Sequence, residues 1–398
     1  MRLFLRPGVT VSGATLISLW MRTSNVLACL LLAVIFHAVT ATASQAQGWS
    51  WITEDVDTSG MSTSLAADND GNIHIVYGGE ANILKYGFRP AGRSSKWFTM
   101  SLGGPVSFAK VALDKQGNAH LCSTFNRLHY AYFDGAQWSR IAEIAADAAT
   151  IVYSCSLAIG PDGSPHLAWY KEKNEDGSYF LHIKYAELED KVWVERTIDS
   201  GPQDGKWNAM VLDSKGVPYV SYDEFVTGAL KVAHKAGDKW NLEVVETRKS
   251  GGDYNIGMGN SLAIDAQDNL YVAYYTSSAI HFARRKEDHW VVENVAPVTA
   301  TGGWINYRSA LVLDKAGFPH IVYEDGGGVR HAYWTGKRWQ IQTIVRSGPD
   351  RNRFPSMAID ANDRIYVSFR DPVDGSLKVA VGNPVSSQET SVENPSNP

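Results

Sequence analysis

The sequence lacks the short motifs by which many enzymes announce themselves. Its 398 residues hold no CxxC pair, no P-loop, no G-x-G-x-x-G and no Ser–His–Asp signature, so nothing points to phosphoryl transfer, dinucleotide binding or triad hydrolysis. Charge of one sign is not in excess. A net charge of −5 leaves no basic footprint for nucleic acid. Helical periodicity is nearly absent after residue 50, where alternating apolar runs and turn residues dominate. The apolar stretch 26–39 is too short to span a bilayer comfortably. Cysteine is scarce, with Cys29, Cys122 and Cys155 only.

What the chain has instead is repetition. The segment 311–344 opens LVLDKAGFPHIVYEDGGGVRHAYW, and versions of it recur along most of the sequence. An aspartate closes an apolar run at Asp68, Asp114, Asp213, Asp265, Asp314 and Asp360, and Gly160 takes that place in one further copy. The seven anchors are spaced by 46, 46, 53, 52, 49 and 46 residues. Four short strands per unit at this period indicate a propeller blade. Strand a is small-sided, as in SLAID ending at Asp265. The a–b turn carries Gly71, Gly117, Gly163, Gly216 or Gly317, with Asp268 and Asp363 in two copies, where a positive φ is expected. Strand b is apolar and aromatic, strand c follows, and strand d opens on Trp97, Trp138, Trp193, Trp240, Trp290 or Trp339.

Six tryptophans for seven units leave one strand d missing, and the last unit ends at strand c. Trp51-Ile-Thr-Glu54-Asp-Val56 matches Trp290-Val-Val-Glu293-Asn-Val295 position for position. The N-terminal strand is therefore expected to complete the last blade and close the ring. The fold class is all-β, a seven-bladed β-propeller of four-stranded antiparallel blades.

Three segments follow. Residues 1–46 form a signal-peptide region, whose real start could be Met21. A basic Met21-Arg22, the apolar stretch and the small residues Ala41-Thr-Ala43 and Ser44-Gln-Ala46 mark it. Cys29 stands at the front of the apolar run, not at a lipoprotein cleavage site. Residues 47–385 form one propeller domain, and 386–398 a disordered polar tail. The protein is expected to be exported, periplasmic or extracellular, with no stable membrane span once the signal is cleaved. Cys122, on strand b of the second blade, and Cys155, beside strand a of the third, could pair there or remain two buried thiols.

The b–c and d–a loops, around one mouth of the central channel, vary most between copies and are the place to look for a site. The candidate ligand-binding residues are Tyr153, Trp207, Asn208, Tyr254, Asn260, Trp304, Tyr307, Arg308 and Arg353. Aromatic rings beside amides and arginines suit a sugar: the rings stack on its apolar faces and the polar groups fix its hydroxyls. Arginine adds a bidentate partner for a uronate or sialate carboxylate. Lys110 joins the candidates because the other copies place Ser64, Ser156, Ala209, Ser261, Ala310 and Ser356 there, so a lysine would project into the channel. His74, His120, His166 and His320 alternate with Tyr219, Tyr271 and Tyr366 at one repeat position, which makes them structural, not metal ligands. The basic strand-c residues, Lys85 to Lys378, fit pairing with acids such as Asp223, Asp325 and Asp371. No metal and no cofactor is expected.

The repeat D-x-x-G-x-P-H-I-x-Y, then L-K-Y-A, then W-x-x-E-x-V, over residues 49–381, resembles exported bacterial β-propellers of the broad sialidase-like (BNR-like) grouping. No stretch matches the S-x-D-x-G-x-T-W Asp-box of sialidases, and here the aspartate turn lies between strands a and b. The resemblance implies the architecture, in a wider group that includes glycan-binding lectins and polysaccharide lyases. The expected function is recognition of a glycan or other surface polymer on the b–c/d–a face. One alternative is an enzyme on acidic polysaccharide: a lyase using Tyr254, Tyr307 and Arg308, or a hydrolase pairing Asp223 or Glu224 with Glu324 or Asp325. The other is a protein-interaction scaffold in the cell envelope. Whether the chain is an enzyme is left open.

Overall fold

The computed structural model describes residues 48–385 except 93–95, 146–149, 176–177, 203–206, 225, 249–254, 299–307 and 349–352. The expected signal region and polar tail lie outside the described residues. Seven four-stranded antiparallel sheets form a ring. Blade 1 runs through Met61–Ala67, Ile73–Gly78, Ile83–Arg89 and Phe98–Pro105. Blades 2 to 6 occupy 108–145, 150–202, 208–247, 258–297 and 309–346. Blade 7 takes Ser356–Ile359, Ile365–Arg370 and Leu377–Val385, and its outer strand is Gly48–Asp57. That strand pairs Glu54 with Val379, as Glu293 pairs with Phe282 in blade 5. The ring is closed in the register that the tryptophan motif implies.

The repeat residues build each blade in the same way. Each anchor aspartate uses one carboxylate oxygen to accept two backbone N–H groups of its a–b turn. Asp68 takes those of Asp70 and Asn72 at 3.0 and 2.8 Å, and Asp314 those of Ala316 and Phe318 at 2.9 and 2.8 Å. The turn then needs a left-handed residue, and Gly71 (φ 84°) supplies it in blade 1 as Asp363 (φ 57°) does in blade 7. The core is seven apolar clusters, most of them packed between the faces of neighbouring blades. Cys122 and Cys155 form a disulfide between blades 2 and 3, with Cα atoms 6.5 Å apart.

The strand-b histidines hydrogen-bond to strand c: His74 Nδ1 to Tyr86 at 2.7 Å, His120 to Tyr130 at 2.7 Å, and His320 to His331 at 3.0 Å. Among the strand-c cations Arg330 pairs with Asp325 and Lys378 with Asp371, whereas Lys85 takes Asp57 from the outer strand of the neighbouring blade. Lys231 takes Glu224 and Asp199 instead of Asp223. No helix among the described residues is long and apolar enough to cross a membrane.

Candidate functional site

The seven innermost strands wall a central channel of about 220 Å³. One level of the wall is the small-residue ring: Ser64, Lys110, Ser156, Ala209, Ser261, Ala310 and Ser356. Several of its serines stitch blades together. Ser64, Ser261 and Ser356 accept the backbone N–H of Val111, Leu311 and Leu65 on the next blade at 3.3, 3.0 and 3.1 Å. Lys110 is the exception, as its repeat position implies. Its side chain is exposed to the water that fills the channel, within the ring of protein. Burial first, and then the nearby Arg308 charge, push its pKa down to about 8. No hydrogen-bond or ion-pair partner holds its ammonium among the described residues.

The next level out forms the mouth. It takes the residue two positions earlier in each repeat: Ser62, Phe108, Ser154, Trp207, Gly259, Arg308 and Phe354. Arg308 reaches across this ring. Its guanidinium carbon lies 4.9 Å from the centroid of Phe108, 5.2 Å from Phe354 and 5.7 Å from Trp207. A cation within about 6 Å of a ring face is attracted by its quadrupole. Nη2 donates weakly to Ser62 Oγ at 3.4 Å, while the buried Nε has no partner. Burial lowers the Arg308 pKa to about 10, with Glu324 opposing the shift. No Asp or Glu stands among the described residues that line the channel and mouth. Two cations and three aromatic rings therefore face one opening.

Buried polar groups hold this cage in place. Arg353 and Glu324, each 2% exposed, form an ion pair of 2.6 Å behind the mouth. Burial raises the Glu324 pKa to about 7, and Arg353 draws it back toward the ionised form. The Tyr275 hydroxyl accepts the Glu324 backbone N–H at 2.7 Å and shares its one proton between the Glu324 and Arg308 carbonyls at 2.9 and 3.2 Å. Asp223 accepts the Trp207 N–H at 2.8 Å. Phe354 has φ 48°, a conformation that costs a bulky residue roughly 1–3 kcal/mol and tends to occur at functional positions.

Of the candidates named from the sequence, Lys110, Trp207 and Arg308 meet at the mouth, and Arg353 lies behind it. Asn208 and Asn260 stand at the channel wall with their amides engaged between blades. Asn208 bridges Ser154 and Ser156 at 2.7 and 2.6 Å, and Asn260 binds Ser221 and the Trp207 and Gly257 carbonyls at 2.6, 3.1 and 2.9 Å. Tyr153 is partly buried against the blade 3–4 core, and its hydroxyl donates to Glu172 at 2.5 Å. Tyr254, Trp304 and Tyr307 lie outside the described residues. Sequence reasoning missed Phe108 and Ser62 and did not single out Phe354; Glu324, named there as a hydrolase carboxylate, is paired with Arg353 behind the mouth. Extending the repeat alignment two residues upstream of the Lys110 position would have found the first three.

No family model and no curated protein matches the chain. Solved structures of similar shape include a fucose-specific lectin from Aleuria aurantia, with 13% identity, TM-score 0.49 and coverage of 73% of this chain and 97% of that one. A Hadza microbial sialidase has 12% identity, TM-score 0.48 and coverage of 83% and 66%. A polysaccharide lyase, an ulvan lyase of a new family, has 10% identity, TM-score 0.47 and coverage of 71% and 78%.

Proposed function

We propose that the protein is an exported recognition module that binds an acidic glycan at the channel mouth of its b–c/d–a face. One observation carries this reading: Arg308, caged by three aromatic rings, stands one level above Lys110, and among the described residues the lining holds no carboxylate and no partner for that lysine. The two cations suit a sugar carboxylate, and Trp207 and Phe108 suit the apolar face of its ring. The apolar stretch 26–39 and the Cys122–Cys155 disulfide support export. The test is calorimetry with a uronate polysaccharide and its carboxyl-reduced form. The acidic polymer binds at least about tenfold tighter, the margin shrinks as salt rises, and Arg308→Ala and Lys110→Ser each remove it. Equal affinity for the two polymers overturns the reading.

A lyase is the second reading, favoured by the depressed Lys110 pKa of about 8. A lysine partly neutral near physiological pH can take an α-proton while a guanidinium neutralises the uronate. Unsaturated product that disappears in Lys110→Arg decides for the enzyme; binding without product decides for the module.

A further inference from the structure

The opposite face of the ring, where the a–b turns lie, holds a second groove, between blades 1 and 2, of about 470 Å³. Two departures from the repeat meet there. The first is at strand d. In two blades the W-x-x-E glutamate accepts the tryptophan N–H of the next blade, Glu54 that of Trp97 at 3.2 Å and Glu243 that of Trp290 at 3.1 Å, whereas the Trp339 N–H is left unpaired although Glu293 precedes it. In blade 1 the pattern reads Trp97-Phe-Thr-Met100. Met100 cannot accept, and the buried Nε1 of Trp138 is left without a partner.

The second departure is at strand b. The Nε2 atoms of His120 and His320 face their turn aspartates at 3.7 and 3.6 Å, and that of His166 lies 3.1 Å from the Ser164 hydroxyl. His74, 5% exposed, has no partner at Nε2. Burial lowers its pKa to about 4, so the ring is neutral. Its Nδ1 lies 2.7 Å from the Tyr86 hydroxyl, which has no other acceptor among the described residues. The network thus assigns the ring proton to Nε2. Two unpaired donors, the Trp138 and His74 N–H groups, line one groove, and an unpaired buried donor costs about 1–3 kcal/mol.

The equivalent groove between blades 6 and 7 is filled by the chain itself. There Trp49 packs its indole against His320, His331 and Trp51 at centroid distances of 5.2, 5.4 and 6.2 Å. These residues stand where blades 1 and 2 have His74, Tyr86 and Trp138. In blade 2 the place of Trp49 falls to Ala136, on the c–d turn, and the space stays open. A flat ring therefore fits the groove. Its lip adds apolar Phe98, 63% exposed, and Met100, with Asp70, Gln116 and Asn118 opposite. Among the described residues no lysine or arginine lines it, and two aspartates do.

We infer that this groove is a second binding site, for one neutral glycosyl ring whose oxygens accept from Trp138 and His74 while its apolar face packs on Phe98. The site is independent of the channel mouth, and its charge excludes the acidic sugars proposed there. The experiment titrates the protein with methyl glycosides of neutral hexoses and 6-deoxyhexoses, with free indole as a control. Tryptophan fluorescence and saturation-transfer NMR follow binding. At least one glycoside binds, and the Met100→Glu variant, which restores the acceptor for Trp138, weakens it at least about tenfold. Arg308→Ala leaves that affinity unchanged. Unaltered circular dichroism and a melting temperature no lower than that of the wild type show that Met100→Glu is folded. The inference is overturned if no glycoside binds, if binding survives Met100→Glu, if Arg308→Ala abolishes it, or if indole alone binds.

Discussion

Replacing Arg353 by methionine isolates the support of the mouth. The guanidinium and the Glu324 carboxylate are each 2% exposed and 2.6 Å apart. Removing one partner of such a pair leaves a buried charge uncompensated, at about 3–5 kcal/mol. At roughly 2 °C per kcal/mol for a large domain, Tm falls by about 6–10 °C. The loss depends on pH, and its sign follows from Glu324. Burial raises that carboxyl from 4.5 to about 7 in the native state. Between those values the native state holds the proton that the unfolded chain has lost, so stability falls as pH rises through the window. Without Arg353 the carboxyl rises further. The Arg353→Met deficit is therefore largest at pH 8 and shrinks toward pH 5, where the carboxyl is neutral. Adding Glu324→Gln to Arg353→Met recovers most of the loss at pH 8. Scanning calorimetry of both variants at the two pH values reads this out. A deficit equal at pH 5 and 8, or one that Glu324→Gln does not relieve, refutes the reasoning.

Two further substitutions test the same structure. Lys110→Ser restores the small residue of the other blades and raises Tm at pH 7, because burial depresses the native Lys110 pKa to about 8; an unchanged or lower Tm counts against a desolvated cation. A lowered lysine pKa also makes wild-type stability rise between pH 8 and the unfolded value of 10.5, a slope that Lys110→Ser removes. Cys155→Ala opens a crosslink that spans a sequence separation of 33, and loop-closure entropy puts the loss at roughly 3–4 kcal/mol. Chemical denaturation with and without reductant checks it: reductant lowers the wild-type midpoint and leaves the variant unmoved.

The fold was legible because each blade repeats one solution. The anchor aspartates recur because every a–b turn needs two backbone N–H groups satisfied, and the W-x-x-E motif recurs because strand d packs on strand c in one register. Ring closure was legible for the same reason: Trp51 and Glu54 carry the motif at the wrong end of the chain. The mouth was legible only in part. Lys110 and Arg308 stand out as cations, but Phe108 looks like any strand residue until the repeats are aligned upstream of the small ring. That alignment is blurred where bulges shift the register, between Met61 and Ser64, Val152 and Cys155, and Met258 and Ser261. Asn208 and Asn260 show the converse. They break the repeat as ligand residues would, yet their amides bond between blades, and polarity alone does not tell which way a side chain is engaged. The blade 1–2 groove was hidden because it stays open where Ala136, a residue unremarkable in itself, takes the place of Trp49.

The measurement that bears most directly on the central claim is a crystal structure of the protein soaked with a uronate-terminated oligosaccharide. The account predicts the sugar at the channel mouth, its carboxylate within hydrogen-bond reach of Arg308 or Lys110 and its ring against Trp207 or Phe108. A mouth that stays empty at saturating sugar, or a carboxylate bound away from both cations, contradicts it.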